Sequence, residues 1–200
     1  TRKLTRLVRT RGTMNAIVST KDLSPESLVK KAIAWEGLDG LDLTSQVSCE
    51  HSYVASVENP SYHVVALDFG IKRNIVNCLN KIGCNVTVVP AKTTANEILA
   101  LKPDGIFLSN GPGDPRPLHD AISTCKNLIG EKPIFGICLG HEILGLALGC
   151  KIIRLKYGHR GANQPIKDKT TGRILITSEN HGWAIDPKLL PSKINITINI

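Results

Sequence analysis

From residue 60 onward the sequence predicts an α/β fold with an open, mostly parallel sheet, and three observations carry that prediction. Short apolar runs alternate with stretches at helical spacing, which is the pattern of βαβ units. The chain is 42% hydrophobic, yet only eight residues are aromatic (three Phe, three Tyr, two Trp). Its core must therefore be built from Ile, Leu, Val and Ala, the residues that fill such a sheet. One run also ends in Gly136-Ile137-Cys138-Leu139-Gly140, a cysteine framed by glycines where a strand gives way to a helix.

Taken in order, the first strand is His63 to Phe69, followed by a helix from Ile71 to Ile82 with Ile75, Val76, Leu79 and Ile82 at helical spacing. A strand from Asn85 to Val89 is closed by Pro90, and a helix covers Ala95 to Leu101. The strand Gly105 to Leu108 runs into Ser109-Asn110-Gly111-Pro112-Gly113-Asp114-Pro115, where two Gly and two Pro forbid regular structure. A helix from Leu118 to Ile129 leads to strand Pro133 to Ile137, and Leu139 to Leu148 reads as a buried helix. Strands are expected at Lys151 to Leu155 and Arg173 to Thr177, with Asn180-His181-Gly182-Trp183 as a loop. The alternating run Ile194 to Ile200 reads as a last strand.

Residues 1–59 differ in character, with a basic start, a helix from Pro25 to Trp35 and a Gly/Asp-rich stretch. The expected organisation is a remnant of another domain plus linker over 1–59 and an α/β domain over 60–200. A start at Thr1 without Met and an end inside a strand-like run suggest a piece of a longer protein.

The net charge of +8 is lopsided: residues 1–31 carry eight Lys and Arg against two acids, and the remainder is nearly neutral. No aromatics interleave with the basic end, which argues against a nucleic-acid platform. Six cysteines show neither a C-x-x-C pair nor a histidine at finger spacing, so no metal is expected. With no secretory signal visible, free thiols and a reducing compartment are expected, cytoplasm or plastid stroma. On that footing Asn85-Val86-Thr87 and Asn195-Ile196-Thr197 are chance glycosylation matches. No apolar run reaches membrane-spanning length.

In an open α/β sheet, ligands sit beyond the carboxyl ends of the strands. A nucleophile on a sharp strand-to-helix turn needs small neighbours, and Gly136 and Gly140 supply them. Cys138 then lies at a helix N-terminus, whose partial charge favours thiolate, and it becomes the candidate nucleophile. The other five cysteines read as small buried hydrophobes. The Asn110–Pro115 loop, one strand back, can aim the Gly111 N–H at a carbonyl under attack, with Leu139 N–H as the second oxyanion donor. Asp68-Phe69-Gly70 mimics a kinase magnesium motif, but no His-Arg-Asp segment accompanies it.

With those residues in place the chain resembles the small, glutamine-hydrolysing subunits of carbamoyl-phosphate synthetases, which are class I (triad) glutamine amidotransferases. The resemblance rests on Ala66 through Asn74, Leu108 through Pro115, Phe135 through His141 and Asn180-His181-Gly182. The stretch from Thr1 to Asn15 looks like the end of the N-terminal domain peculiar to this subunit. The resemblance implies an amidotransferase fold in which Cys138 forms a γ-glutamyl thioester and ammonia passes to a large subunit. The carbamoyl phosphate so made would serve pyrimidine and arginine biosynthesis. It also implies that Gly111, Gly113, Leu139, Glu142, Asn180, Gly182 and Trp183 bind glutamine. No cofactor is expected in this chain, since ATP and its metal belong by resemblance to the large subunit.

The sequence departs from that pattern in three ways. The family's catalytic His and Glu lie in a His-Pro-Glu motif, and no such tripeptide is present. A glutamine-contacting Ser expected upstream of Thr1 is absent, and Glu142 stands where the family usually has Gln. Three other readings therefore stand beside the glutaminase: a non-catalytic homologue that binds or regulates the synthetase, another triad-type amidotransferase, and a thiol hydrolase or redox protein using His181 or His141 as base.

Overall fold

The computed structural model describes residues 2–199. Strand β1 (Tyr53–Ala55) precedes the alternating part of the chain, in which β2 (Tyr62–Asp68), α3 (Arg73–Lys81), β3 (Cys84–Pro90), α4 (Ala95–Ala100), β4 (Gly105–Leu108), α5 (His119–Leu128), β5 (Ile134–Gly136) and α6 (Leu139–Ala147) follow in turn. Two helices lie further upstream, α1 (Arg2–Arg11) and α2 (Pro25–Ala34). The sequence pattern assigned no element to the first of these. The second begins as its sequence directs, with Ser24 accepting from the Ser27 N–H and Pro25 in the first turn.

The sheet order is β1-β3-β2-β4-β5, with β2 parallel to β3 and β4, β4 parallel to β5, and β1 antiparallel at the edge. Chain progression reverses at β2, from β3 on one side to β4 on the other, which opens a crevice at their carboxyl ends. Strand β1 lies on the N-terminal side of residue 60 and still pairs with this sheet.

Alternation along β2 divides the core in two. Val65 and Leu67 join Ile98, Leu128, Leu139 and Ile143 on the face covered by α4, α5 and α6. Ala66 faces the other way, among Val76, Val86, Val88 and Phe107, beneath α3. Helix α4 is set by a reciprocal cap in which Thr94 and Glu97 satisfy each other's backbone N–H groups.

Beyond α6 the architecture changes. Strands β6 (Ile152–Asp168) and β7 (Ile174–Ile185) form a long antiparallel ribbon, and β8 (Ile198–Asn199) pairs with the far end of β6. Both ribbon strands outrun the short ones expected at Lys151–Leu155 and Arg173–Thr177. Asn180-His181-Gly182-Trp183, expected as a loop, lies within β7, where Asn180 sits opposite Arg160 and His181 opposite His159. Cross-strand pairing satisfies a backbone whose polar side chains and glycine suggested a turn. The alternating run at the C-terminal end yields a strand only at Ile198–Asn199, because Ile194 N–H donates to Pro191 O and closes a turn at the run's start. Ile200 lies outside the described residues.

The N-terminal region touches this frame at several points. Thr13 N–H donates to Lys156 O (3.0 Å), Gly40 N–H to Asp114 Oδ2 (3.0 Å), and Arg154 Nη1 to Asp39 Oδ2 (2.6 Å).

Candidate active site

Strand β5 stops at Gly136 and α6 starts at Leu139, so two residues turn the chain. Cys138 makes the turn at φ 53° and ψ −115°, a left-handed backbone conformation that costs a non-glycine residue about 1–3 kcal/mol. The surroundings hold it there. Gly140 N–H donates to Ile137 O (3.0 Å) and Glu142 N–H to Cys138 O (3.0 Å), opening α6. A Cβ at Gly136 would lie 2.6 Å from the Gly140 carbonyl, and one at Gly140 would overlap the Leu108 backbone. The two glycines are thus required by close approach of chain to chain.

Three backbone groups meet at the half-buried Cys138 Sγ. The N–H groups of Leu139 and Gly111 donate toward it, and its S–H donates to Asn180 O at 3.8 Å. The thiol pKa is nonetheless raised, first by burial and then by the charge of Glu142; the two N–H groups and Lys72 oppose this without cancelling it. The thiolate preference expected from the helix N-terminus is opposed by burial and by Glu142.

Glu142 is 4% exposed and its pKa is pushed up to about 8, by desolvation first and by Asp114 second. At neutral pH it is a protonated acid. Asp114 beside it is buried yet stays ionised: desolvation is offset by Arg116, which donates from Nε and Nη2, and by the N–H groups of Arg116 and Gly40. A neutral carboxyl offers one donor and one acceptor, the same pair as a glutamine amide.

The remaining expected residues fall into two groups. Gly113 lies next to Leu43, Gly182 next to the Arg160 guanidinium, and neither touches Sγ among the described contacts. Trp183 is 8% exposed, with the Arg154 guanidinium 5.9 Å from its ring centroid. Its Nε1 is the one buried side-chain polar atom without a partner among the described residues.

Sequence reasoning missed the residues that hold the crevice. Asp68 Oδ1 accepts the N–H groups of Gly70 and Ile71 (both 2.8 Å) and its Oδ2 accepts Cys49 N–H (2.9 Å), so the kinase-like tripeptide is a turn. Asn110 staples two loops, accepting from Lys72 N–H and donating to Gly70 O. An Asx turn was the available signal at Asp68; the long-range stapling by Asn110 had none. One cysteine expectation also needs correction: Cys78 is exposed on α3, since helical geometry turns it away from the Val76 face.

Of the two histidines beside the cleft, His181 is engaged elsewhere. His181 Nδ1 is 2.7 Å from Trp183 O and Nε2 is 2.9 Å from Glu179 Oε2. His141 has an exposed side chain and forms no hydrogen bond to Cys138 among the described residues.

Residues 65–199 match the family "Glutamine amidotransferase class-I". The chain is 47% identical to the carbamoyl phosphate synthase small chain of Ralstonia nicotianae, across 98% of this chain and 56% of that protein. It is 49% identical to the namesake of Chlorobaculum tepidum, across 98% of this chain and 55% of the other. The chain thus spans about half the length of these relatives. Among solved structures, a putative GMP synthase component of Thermoplasma acidophilum superposes with a TM-score of 0.58 at 21% identity, covering 68% of this chain and 72% of that one. A glutamine amidotransferase of Thermotoga maritima does so with a TM-score of 0.54 at 15% identity, covering 68% and 66%. These structures speak to the fold alone.

Proposed function

The chain belongs to the class I glutamine amidotransferase family, and from that premise we propose that it is part of the glutamine-hydrolysing small subunit of a carbamoyl-phosphate synthetase. Residues 1–52 would then be the end of the preceding domain plus its linker, and the sheet from β1 onward part of the amidotransferase domain, a boundary earlier than the expected 59/60 because β1 pairs with β3. The observation that carries the reading is the convergence of Gly111 N–H, Leu139 N–H and Asn180 O on a cysteine held at positive φ.

In the proposed reaction Cys138 Sγ attacks the side-chain amide carbon of glutamine. The Gly111 and Leu139 N–H groups receive the oxygen as it gains charge, an arrangement worth about 3 kcal/mol per donor. The C–N bond breaks, ammonia leaves for the large subunit, and water releases glutamate from the thioester. Protonating the departing nitrogen needs a positioned acid, assigned to the family's His-Pro-Glu motif, a tripeptide these 200 residues do not contain. The protonated Glu142 stands in for the usual Gln toward the substrate, with Gly113, Gly182 and Trp183 completing the pocket. The partners are glutamine and the large subunit, which also holds ATP and its metal, and the compartment is a reducing one. Among the described residues no helix is long and apolar enough to cross a membrane.

The test is carbamoyl phosphate synthesis by the full-length small chain paired with its large partner. Cys138→Ser should abolish synthesis from glutamine and leave synthesis from ammonia intact. Glutamine-dependent turnover that survives this change sinks the reading. The thiol-hydrolase alternative gains nothing from the geometry: His181 commits both ring nitrogens to Trp183 O and Glu179, and among the described residues neither His181 nor His141 is hydrogen-bonded to Sγ.

A further inference from the structure

Apart from the elbow, a cluster of potential metal-ligating side chains among the described residues lies on the ribbon. His159 of β6 sits directly across from His181 of β7, and Glu179, two residues before His181, points to the same face. His159 Nδ1 is 3.3 Å from His181 Nε2, which is 2.9 Å from Glu179 Oε2. One ligating atom from each of the three lies within 4.8 Å of the others, and all three side chains are partly buried.

The hydrogen-bond chemistry of His181 sharpens this. Its Nδ1 is 2.7 Å from Trp183 O, and a carbonyl only accepts, so Nδ1 carries the proton. The Nε2 lone pair then faces the Glu179 carboxylate oxygen, two acceptors 2.9 Å apart, with His159 Nδ1 beside them at 3.3 Å. A cation seated among these atoms satisfies both acceptors. Ligand atoms of a tetrahedral zinc-type ion at bonds of about 2.0–2.2 Å are about 3.3 Å apart. The His159–His181 and His181–Glu179 separations, 3.3 and 2.9 Å, are near that, and the third lies within 4.8 Å. A ligating histidine whose other nitrogen donates to a backbone carbonyl is also the usual supporting arrangement.

We propose that His159, Glu179 and His181 form a site for a borderline divalent transition-metal ion such as Zn2+, and that the bound ion pins the part of β7 lying over Cys138. Two imidazole nitrogens and one carboxylate oxygen suit zinc and leave a fourth position for water. The site closes across two strands, 20 residues apart in sequence, which is why inspection of cysteine and finger spacings gave no sign of it. It leaves the proposed chemistry of Cys138 unchanged and fixes the Asn180 carbonyl, one residue from each β7 ligand.

The experiment uses the full-length protein, stripped with a chelator and titrated with Zn2+ against a chromogenic chelator, in a Cys138→Ser background. That background keeps the elbow thiol out of the measurement. One tight equivalent per chain is expected, weakened by more than about tenfold in both His159→Ala and Glu179→Gln. Cobalt substitution should give a tetrahedral spectrum without thiolate charge-transfer bands. Where His159→Ala disturbs the far-UV circular dichroism, His159→Cys, which retains a ligand, should recover both folding and binding. Binding no tighter than millimolar, binding indifferent to His159 and Glu179, or a thiolate-type cobalt spectrum would each overturn the proposal. Because metal binding is read directly, it stands or falls separately from glutamine hydrolysis.

Discussion

On β2, Val65, Ala66 and Leu67 are all 0% exposed, whereas on β7, Ile174 and Ile176 retain 70% and 66% of their surface. The parallel sheet is covered on both faces and fixes its strands by packing; the ribbon is fixed chiefly by its own ladder of backbone hydrogen bonds. Cys138 rides on the first region and Asn180, Gly182 and Trp183 on the second. A single weak S–H···O contact of 3.8 Å joins Cys138 to β7. Strain is stored where packing over-determines the backbone, and the adjustable half of the cleft is built where it does not.

The sharpest way to break this comparison is to place the same methyl group in both regions. Gly140→Ala drives a Cβ into the Leu108 backbone and should cost about 3 kcal/mol or more, if the chain folds at all. Gly172→Ala, at φ 73° with nothing nearby, should cost only about 1 kcal/mol of backbone strain. Urea midpoints measure both, and equal losses would mean the elbow is not held by its surroundings.

Glu142 gives a pH-dependent effect. Its folded-state pKa of about 8 exceeds the ordinary 4.5, so between those values the folded chain keeps a proton the unfolded chain has lost. Stability therefore declines as pH rises from 4.5 to 8, by about 1.4 kcal/mol per pH unit and on the order of 5 kcal/mol in all. Glu142→Gln should flatten that slope in thermal melts and lower the pH at which Cys138 alkylates, since it removes a charge opposing the thiolate. An unchanged slope would place the carboxyl in a solvated setting.

Thiol labelling separates exposure from recognition. Iodoacetamide should reach the exposed Cys78 before the half-buried Cys138, by about tenfold in rate, while Cys49 and Cys125, pushed up to about 11, lag behind. With the full-length small chain, an electrophilic glutamine analogue should reverse the order and mark Cys138. Peptide mapping decides, and Cys78 leading with both reagents would undo the substrate assignment.

The smallest effect belongs to the ribbon. Ile174→Thr and Ile176→Thr should each change stability by no more than about 0.5 kcal/mol, because neither side chain is in the core. A larger loss in circular-dichroism melts would mean that these side chains are covered.

Alternating apolar runs and Gly-X-Cys-X-Gly made the parallel sheet, its helices and Cys138 legible in the amino-acid sequence, because each depends on residues near one another in the chain. That Gly111 and Leu139 flank Cys138 was legible too, because loop chemistry and strand order place them at one edge of the sheet. Tertiary structure alone decided the rest. The thiol's raised pKa, the protonated Glu142, the Asp68 and Asn110 staples and the His159–His181 pairing arise from burial or from groups far apart in the chain, which no local pattern encodes. Asn180-His181-Gly182-Trp183 shows the boundary plainly: its side chains have turn character, and only a partner strand, supplying the missing hydrogen bonds, makes it β.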